Sequence, residues 1–279
     1  MRGMPGTGSR APGATGIPTP SRLARAGILG AVGLIFAVPI IAMVEFTLRR
    51  GLEGGYDFSR WVTVLTGNLG PEYRVLGVAI GNSLLLAAAT VAIVLVLLVP
   101  TMILVQLKLP RLRRLLEFVC LLPISIPAIV LVVGLAPVYG VISRVAGSGV
   151  WTLAFAYGII VLPFAYRAVQ SNLDAIDLAT LTEAARSLGA GWPVVIVRVL
   201  LPNLRSGLLA GAFISVAVVL GEFTIASLLN RQNLQTALVI VQKDDPFIAV
   251  IVTLLSLLVA VALLLVMGIV GRGSTRRTP

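Results

Sequence analysis

The sequence predicts an all-α integral membrane protein, on three observations. Hydrophobic residues make up 58% of the 279 positions and charged residues only 12%, whereas soluble domains average about 45–50% and about 25%. Apolar runs of about 20 residues recur, which is the length that a helix needs to cross the hydrocarbon core of a bilayer. Helices also satisfy their own backbone hydrogen bonds in lipid. The net charge of +11 is then explained by basic loops at the membrane surface, and not by nucleic acid.

The apolar runs predict six spans and two cytoplasmic tails. The first tail is rich in Gly, Pro, Ser, Thr and Arg, a composition that favours disorder. The second tail is short and rich in Arg. The predicted tails are 1–26 and 271–279, and the spans of the 27–270 transmembrane domain are 27–48, 78–105, 115–136, 150–166, 206–229 and 247–270.

Two of these spans have features of their own. The second span is longer than a bilayer requires, which predicts a tilted or partly interfacial helix. The third contains Pro123 and Pro127, whose rings free backbone carbonyls that lipid tolerates only where neighbouring helices cover them. We therefore expect this span to face the protein interior, with both prolines on a translocation path.

The basic residues predict the orientation. Of the 22 Lys and Arg residues, 15 lie in the two tails, the 108–114 turn and the 167–205 loop, and seven lie in the three opposite loops. Because basic residues accumulate in cytoplasmic loops, both termini are predicted to be cytoplasmic. The chain is thus expected to be a multi-pass protein of the cell (plasma or inner) membrane.

A polar stretch from Thr180 to Pro202 separates the fourth and fifth spans. Thr180 and Glu183 have the spacing of a capping box at a helix start. An apolar stripe then recurs at helical spacing, and Gly189 is predicted to end the helix in the left-handed conformation. The stripe is Leu181, Ala184, Ala185 and Leu188, and Thr182, Glu183, Arg186 and Ser187 are predicted to form the opposite face.

The same stretch resembles the EAA signature, EAA-x3-G-x9-I-x-LP, of the membrane subunits of binding-protein-dependent ABC importers. Glu183-Ala184-Ala185, Gly189 and Leu201-Pro202 stand at the required spacing, and Val199 replaces the isoleucine. The resemblance implies the type I importer permease fold. It also implies partners: a cytoplasmic ATPase dimer, a second permease subunit and an extracytoplasmic solute-binding protein. The residues that it implies for ATPase coupling are Thr180, Leu181, Thr182, Glu183, Ala184, Ala185, Arg186, Ser187, Leu188, Gly189, Leu201 and Pro202.

The chain carries little catalytic chemistry of its own. It has no histidine and one cysteine, Cys120, so zinc sites and His-dependent nucleophiles are excluded. Neither of its lysines, Lys108 and Lys243, stands in a phosphate-binding loop. The sequence therefore predicts a transport subunit without enzymatic activity and without a cofactor, with ATP bound by the partner ATPase.

Glu222 is the one ionisable residue that the sequence places deep in a predicted span, the fifth. Such a residue indicates a functional site, here on the translocation path, or else a hydrogen bond to a neighbouring helix. The Leu-Gly-Glu-Phe run around it resembles permeases for polyamines and for oxyanions. The predicted solute is a polyamine, with ferric ion or an oxyanion such as sulfate or molybdate as alternatives.

Two further classes stay open from the sequence. A secondary transporter would be expected to have several intramembrane carboxylates or inverted repeats, and only Glu222 lies clearly inside a predicted span. A membrane enzyme is disfavoured because histidine and paired acids within a span are missing.

Overall fold

The computed structural model describes residues 21–51 and 54–272, and these are almost entirely helical, with one isolated bridge between Arg49 and Tyr56. Two units are distinguished, 1–46 and 47–279, and the first contains most of α1. The helices are α1 (Arg22–Leu48), α2 (Ser59–Thr66), α3 (Arg74–Lys108), α4 (Arg113–Leu121), α5 (Ala128–Val145), α6 (Ala154–Leu173), α7 (Leu178–Ser187), α8 (Trp192–Val194), α9 (Leu201–Asn203), α10 (Arg205–Gly221), α11 (Thr224–Leu228), α12 (Leu234–Asp244) and α13 (Pro246–Arg272).

Five of the described helices are long and apolar enough to cross a bilayer: α1, α3, α5, α6 and α13. A sixth span is obtained by joining the 192–203 segment to α10, although the two are bent by 75° where they meet. The count of six is therefore reached only if this bent pair is one span, and the pair includes 192–203, which the sequence analysis assigned to the 167–205 loop.

The third predicted span, 115–136, is wrong as a single helix. α4 ends at Leu121, a 3-10 turn follows over Leu122–Ser125, and α5 begins only at Ala128. Ile126 is extended, with φ −102° and ψ 119°, because the ring of Pro127 disfavours the helical conformation of the residue before it. Pro123 is half-buried, whereas Pro127 is exposed in this chain.

Other predicted boundaries also shift. The fourth span does not end at 166, since α6 continues to Leu173 and takes up the first part of the predicted 167–205 loop. The fifth does not reach 229, because α10 ends at Gly221 and Glu222 is extended. The predicted polar loop 230–246 contains α12. The start of α12 is fixed by a capping box between Asn233 and Thr236.

The predicted tails are partly helical. α1 begins at Arg22, so residues 22–26 are not a disordered tail, and α13 extends to Arg272. Residues 1–20 and 273–279 lie outside the described residues.

The packing between α6 and α10 forms the centre of the second unit. At Gly207, an added Cβ would lie 2.8 Å from the Cβ of Asn172, and at Gly211 it would lie 3.7 Å from the backbone of Ala165. Small residues four apart allow two helix backbones in a membrane to approach closely. The Gly207–Gly211 pair therefore brings α10 directly against α6, and the resulting core includes fully buried Tyr157 and Leu173.

A second apolar cluster forms at the far end of α3. Leu76 and Ala79 of α3 pack there with residues of α12 and α13, including Leu238 and Val252. Tyr73, just before α3, donates a hydrogen bond to Asp245, just before α13 (3.4 Å). The apolar stretches of α3 and α13 thus begin at the same level.

We predict that Gly207→Val lowers the stability of the protein by about 1–3 kcal/mol, because a β-branched side chain would separate α10 from α6. The melting temperature of the detergent-solubilised chain measures the effect. Gly134→Val is the matched control, since Gly134 lies on α5 with no atom within 4 Å of an added Cβ. Equal losses in the two variants would show that helix propensity, and not the contact, is responsible.

Candidate functional site

Helix α7 begins at a capping residue that the sequence analysis missed. Asp177, not Thr180, is the N-cap: its Oδ1 accepts from the Thr180 backbone N–H (3.1 Å) and its Oδ2 from the Thr180 hydroxyl (2.7 Å). The hydroxyl and amide of Thr180 hold the pKa of Asp177 below its ordinary value. The predicted Thr180–Glu183 capping box is therefore wrong. The position of Asp177 immediately before an apolar residue could have indicated the true start of α7, since Asp is a preferred N-cap.

The other end of α7 is closed by Gly189, as predicted. Its φ is +84°, and its N–H donates to the Arg186 carbonyl (2.9 Å) while that of Ala190 donates to Ala185 (3.1 Å). These two hydrogen bonds make up a Schellman motif. Both ends of this ten-residue helix are thus fixed by local hydrogen bonds.

The buried face of α7 differs from the predicted stripe. Leu178 and Thr182 are buried, and Leu181 and Ala185 are half-buried. Leu188, by contrast, is 89% exposed. The inward residues thus repeat the predicted i, i+3, i+4, i+7 spacing three positions earlier in the chain, at Leu178, Leu181, Thr182 and Ala185. The exposed residues of α7 and its C-cap are Ala179, Thr180, Glu183, Ala184, Arg186, Ser187 and Leu188.

Trp192 joins α7 to the end of α3. The guanidinium of Arg186 lies 5.1 Å from the centre of its ring and the ammonium of Lys108 lies 5.3 Å from it. Cations at such distances are attracted by the negative face of the ring. Trp192 is also the first residue of α8, so one side chain connects α7, α3 and the segment that leads into α10.

The segment after Trp192 is a helix with a π-helical insert over Val195–Leu200, followed by α9. Pro202 cannot donate a hydrogen bond, and its ring clashes with the carbonyl four residues earlier, which favours widening of the helix at this point. The side chain of Asn203 donates to the Val199 carbonyl (2.7 Å). Pro202 thus marks a built-in distortion, and π-helical turns of this kind are frequent at functional sites.

The predicted coupling residues therefore come together. Ala185, Val199 and Leu201 pack against the same hydrophobic core, Gly189 closes α7, and Pro202 lies at the bend towards α10. Glu183 and Ala184 remain exposed. Five of the seven signature residues thus have roles within the chain, and two face outward.

Polar contacts between helices stabilise the end of the bundle that carries α7. Asp174 forms an ion pair with Arg113 (2.7 Å) and also accepts from Gln170 (2.9 Å). The Ser206 hydroxyl donates to Asn172, which explains how a serine after the Leu-Pro-x-x-Arg run is accommodated. These contacts tie α4, α6 and α10 together beside α7.

Glu222 lies far from α7, at the other end of α10. It is 9% exposed, and its Oε1 accepts a hydrogen bond from the Ile225 backbone N–H (2.9 Å). The carboxylate therefore caps α11. Tyr157 lies close enough to interact with it, but Oε2 has no hydrogen bond of normal geometry within the described residues.

Asn233 forms hydrogen bonds across the helix break at Glu222, and the sequence analysis did not single it out. Asn233 is 1% exposed, and its side-chain amide donates to the Glu222 carbonyl (2.6 Å) and to the Tyr157 hydroxyl (3.1 Å). Gln235 donates to the Leu220 carbonyl (2.8 Å). From α3, Ser83 accepts from the Leu234 N–H (2.8 Å) and Asn82 donates to the Gln232 carbonyl (2.9 Å).

In residues 21–51 and 54–272, no three acidic or Cys side chains lie together in a way that could hold a metal ion. The arrangement offers an exposed, rigid helix at one end of the bundle and a hydrogen-bonded helix break at the other, joined by α10.

Comparison with known proteins agrees with this description. Residues 103–277 match the family described as binding-protein-dependent transport system inner membrane component. A probable ABC transporter permease protein, y4fN of Sinorhizobium fredii, is 29% identical over 260 residues, which are 88% of this chain and 45% of the relative.

Two shorter matches are to proteins named for anion transport. Sulfate permease 2, chloroplastic, of Chlamydomonas reinhardtii is 40% identical over 78 residues, 28% of this chain and 21% of the relative. The phosphate transport system permease protein PstA of Pasteurella multocida is 33% identical over 99 residues, 36% of this chain and 34% of the relative. The chain thus spans less than half the length of each of these relatives.

The family match covers more than half of the chain, and it includes the α7 signature and the helix break. The predicted all-α type I permease fold and the recognition of the signature are therefore confirmed. The chain is a multi-pass membrane protein that belongs to the family of binding-protein-dependent transport system inner membrane components.

Proposed function

We propose that this chain is the transmembrane subunit of an ATP-driven, binding-protein-dependent importer, and that α7 is the surface on which a separate cytoplasmic ATPase docks. The observation that carries the proposal is α7 itself. Glu183, Arg186 and Leu188 are exposed on a helix that is fixed at both ends. A rigid helix can transmit a displacement that a flexible loop would absorb.

The contacts around α7 supply a route for that displacement. Arg186 and Trp192 link α7 to the segment that bends into α10, and Lys108 links the same ring to α3. α10 then runs about 25 Å, at 1.5 Å per residue, to the helix break at Glu222. A movement of α7 would therefore reach α3 and α10 together.

We also propose that the chain works as one of two permease units, with an ATPase dimer on one side and a solute-binding protein on the other. The match to y4fN leaves more than half of that relative uncovered, which is room for a second unit of this size. ATP would be bound by the ATPase partner.

The docking surface is tested by Gly189→Val and Glu183→Ala. The first variant forces a β-branched residue into the left-handed conformation, and the second removes an exposed charge from the proposed interface. Both should insert into the membrane and lose most of the ATPase that co-purifies with the wild type. The measurements are co-purification of the ATPase and ATP hydrolysis by the purified complex.

Gly147→Val is the matched control for Gly189→Val. Gly147 has a φ of +80°, and an added Cβ would again meet no atom within 4 Å, but it follows α5 and lies outside the 167–205 segment. It should cost similar backbone strain and leave ATPase binding unchanged. If both signature variants retain the ATPase at the wild-type level, α7 is an ordinary connector and the proposal is wrong.

Both termini and α7 are proposed to be cytoplasmic, because the basic residues are concentrated on that side. A reporter fused after Thr278 should be active only if it is of a type that works in the cytoplasm. Activity of a periplasmic reporter at this position would overturn the orientation and the docking proposal together.

The solute predicted from the sequence is a polyamine, and this stays a prediction. It rested on the resemblance of the Leu-Gly-Glu-Phe run around Glu222, whose carboxylate accepts a hydrogen bond from the Ile225 N–H at the start of α11. The names of two relatives refer to sulfate and phosphate, but their matches are short. The role of Pro123 and Pro127 on the path is likewise a prediction.

Two substitutions of Glu222 separate its roles. Glu222→Ala should destabilise the protein by about 1–3 kcal/mol, because the buried Ile225 N–H loses its acceptor, whereas Glu222→Gln keeps an acceptor and should assemble normally. If Glu222 also attracts a cationic solute, Glu222→Gln should lower spermidine uptake several-fold. Unchanged uptake by a well-assembled Gln variant would leave Glu222 a purely structural role.

A further inference from the structure

A large apolar cavity lies at the end of the bundle opposite α7, between the first turns of α3 and the first half of α13. Its volume is about 520 Å³, within the range of ligand pockets. The wall from α3 includes Leu76, Gly77 and Ile80, and that from α13 includes Val252 and Val259. Leu220 and Leu234, on either side of the helix break, form the floor.

The polar side chains in the lining are nearly all engaged within the chain. Tyr73 donates to Asp245, the Ser83 hydroxyl accepts from Leu234, and Ser256 donates to the Val252 carbonyl (2.8 Å). Arg74 is different: it is exposed, and the described residues give its side chain no hydrogen bond or ion pair. A ligand of this cavity must therefore be apolar along most of its length and can carry a negative group only at the Arg74 end.

The level of Arg74 in the fold indicates what such a ligand is. Arg74 is the first residue of α3, and Tyr73 beside it contacts Asp245 at the start of α13, so both apolar stretches begin here. Aromatic and basic residues at the start of a span mark the boundary between headgroups and hydrocarbon. From this boundary the cavity follows α3 as far as Leu84, about 15 Å at 1.5 Å per residue.

We propose that this cavity is a specific phospholipid site, with an acyl chain between α3 and α13 and the lipid phosphate at Arg74. Basic pockets between transmembrane helices bind lipid headgroups in this manner. Glu72 and Asp245 also lie at this end, so a zwitterionic headgroup with an ammonium beside its phosphate fits as well as an anionic one. The site adjoins the helix break through Ser83 and Leu234, so its occupancy can bear on the stability of the break.

Gly77 explains why the cavity is open and provides the test. Glycine is unfavourable inside a helix, and at Gly77 an added Cβ would meet no atom within 4 Å. A larger side chain there would occupy the space of the acyl chain without backbone strain. Gly81, one turn further along α3, is equally open but does not line the cavity, and it serves as the matched control.

The experiment is native mass spectrometry of the full-length chain after extraction from vesicles of phosphatidylethanolamine and phosphatidylglycerol into detergent. The wild type and Gly81→Leu should each retain one phospholipid per chain. Gly77→Leu should reduce that retention at least tenfold. Arg74→Gln should reduce it at least threefold, whereas Arg111→Gln, at the opposite end of α3, should not.

Headgroup competition then defines the ligand. Vesicles made with each phospholipid alone show whether Arg74 selects an anionic or a zwitterionic headgroup. Addition of inorganic phosphate should leave the retention of phospholipid unchanged. The proposal is overturned if the wild type retains no lipid, or if Gly77→Leu and Gly81→Leu behave alike. It is also overturned if Gly77→Leu abolishes self-association and not lipid retention, because a second copy would then cover the cavity. None of these readouts depends on the transported solute or on ATPase docking.

Discussion

The need to satisfy every backbone polar group inside a membrane governs the second half of this protein. Lipid offers no hydrogen bonds, yet α10 stops at Gly221 and leaves its last carbonyls without helical partners. Side chains from beyond the break replace those partners: Gln235 bonds the Leu220 carbonyl and Asn233 bonds the Glu222 carbonyl. Without these two amides, the break would expose polar backbone groups to an apolar surrounding at a cost of several kcal/mol.

The same hydrogen bonds give the helix break a fixed geometry relative to its neighbours. Asn233 also bonds Tyr157 of α6, and Ser83 of α3 accepts from the N–H of Leu234. α10 is held against α6 in its first two turns, where Gly207 and Gly211 allow a close approach. α10 is therefore packed closely at its start and held by hydrogen bonds at its end.

Glu222 illustrates how a carboxylate that caps a helix can be mistaken for a charged group of a functional site. A carboxylate within an apolar run indicates a functional site because its burial is costly. Here the run is not one helix, and the carboxylate accepts from the Ile225 N–H at the start of α11. Oε2 has no hydrogen bond of normal geometry among the described residues, and the phenol of Tyr157 is nearby. The contacts therefore establish a structural role for Glu222.

The sequence by itself determined the solvent, the helical class and the place of the short polar helix α7, because these follow from apolar length, composition and short-range spacing. Gly189 was predicted correctly since its left-handed conformation is a local property of a helix end. Asp177 could have been found by the same local reasoning. The division of the third span is also local, because it follows from the ring of Pro127. The end of α10 and the roles of Asn233 and Trp192 were decided only by the tertiary structure. Their partners lie on other helices, up to about 150 residues away in the chain for Ser83 and Leu234, and hydropathy carries no information about which polar side chains meet.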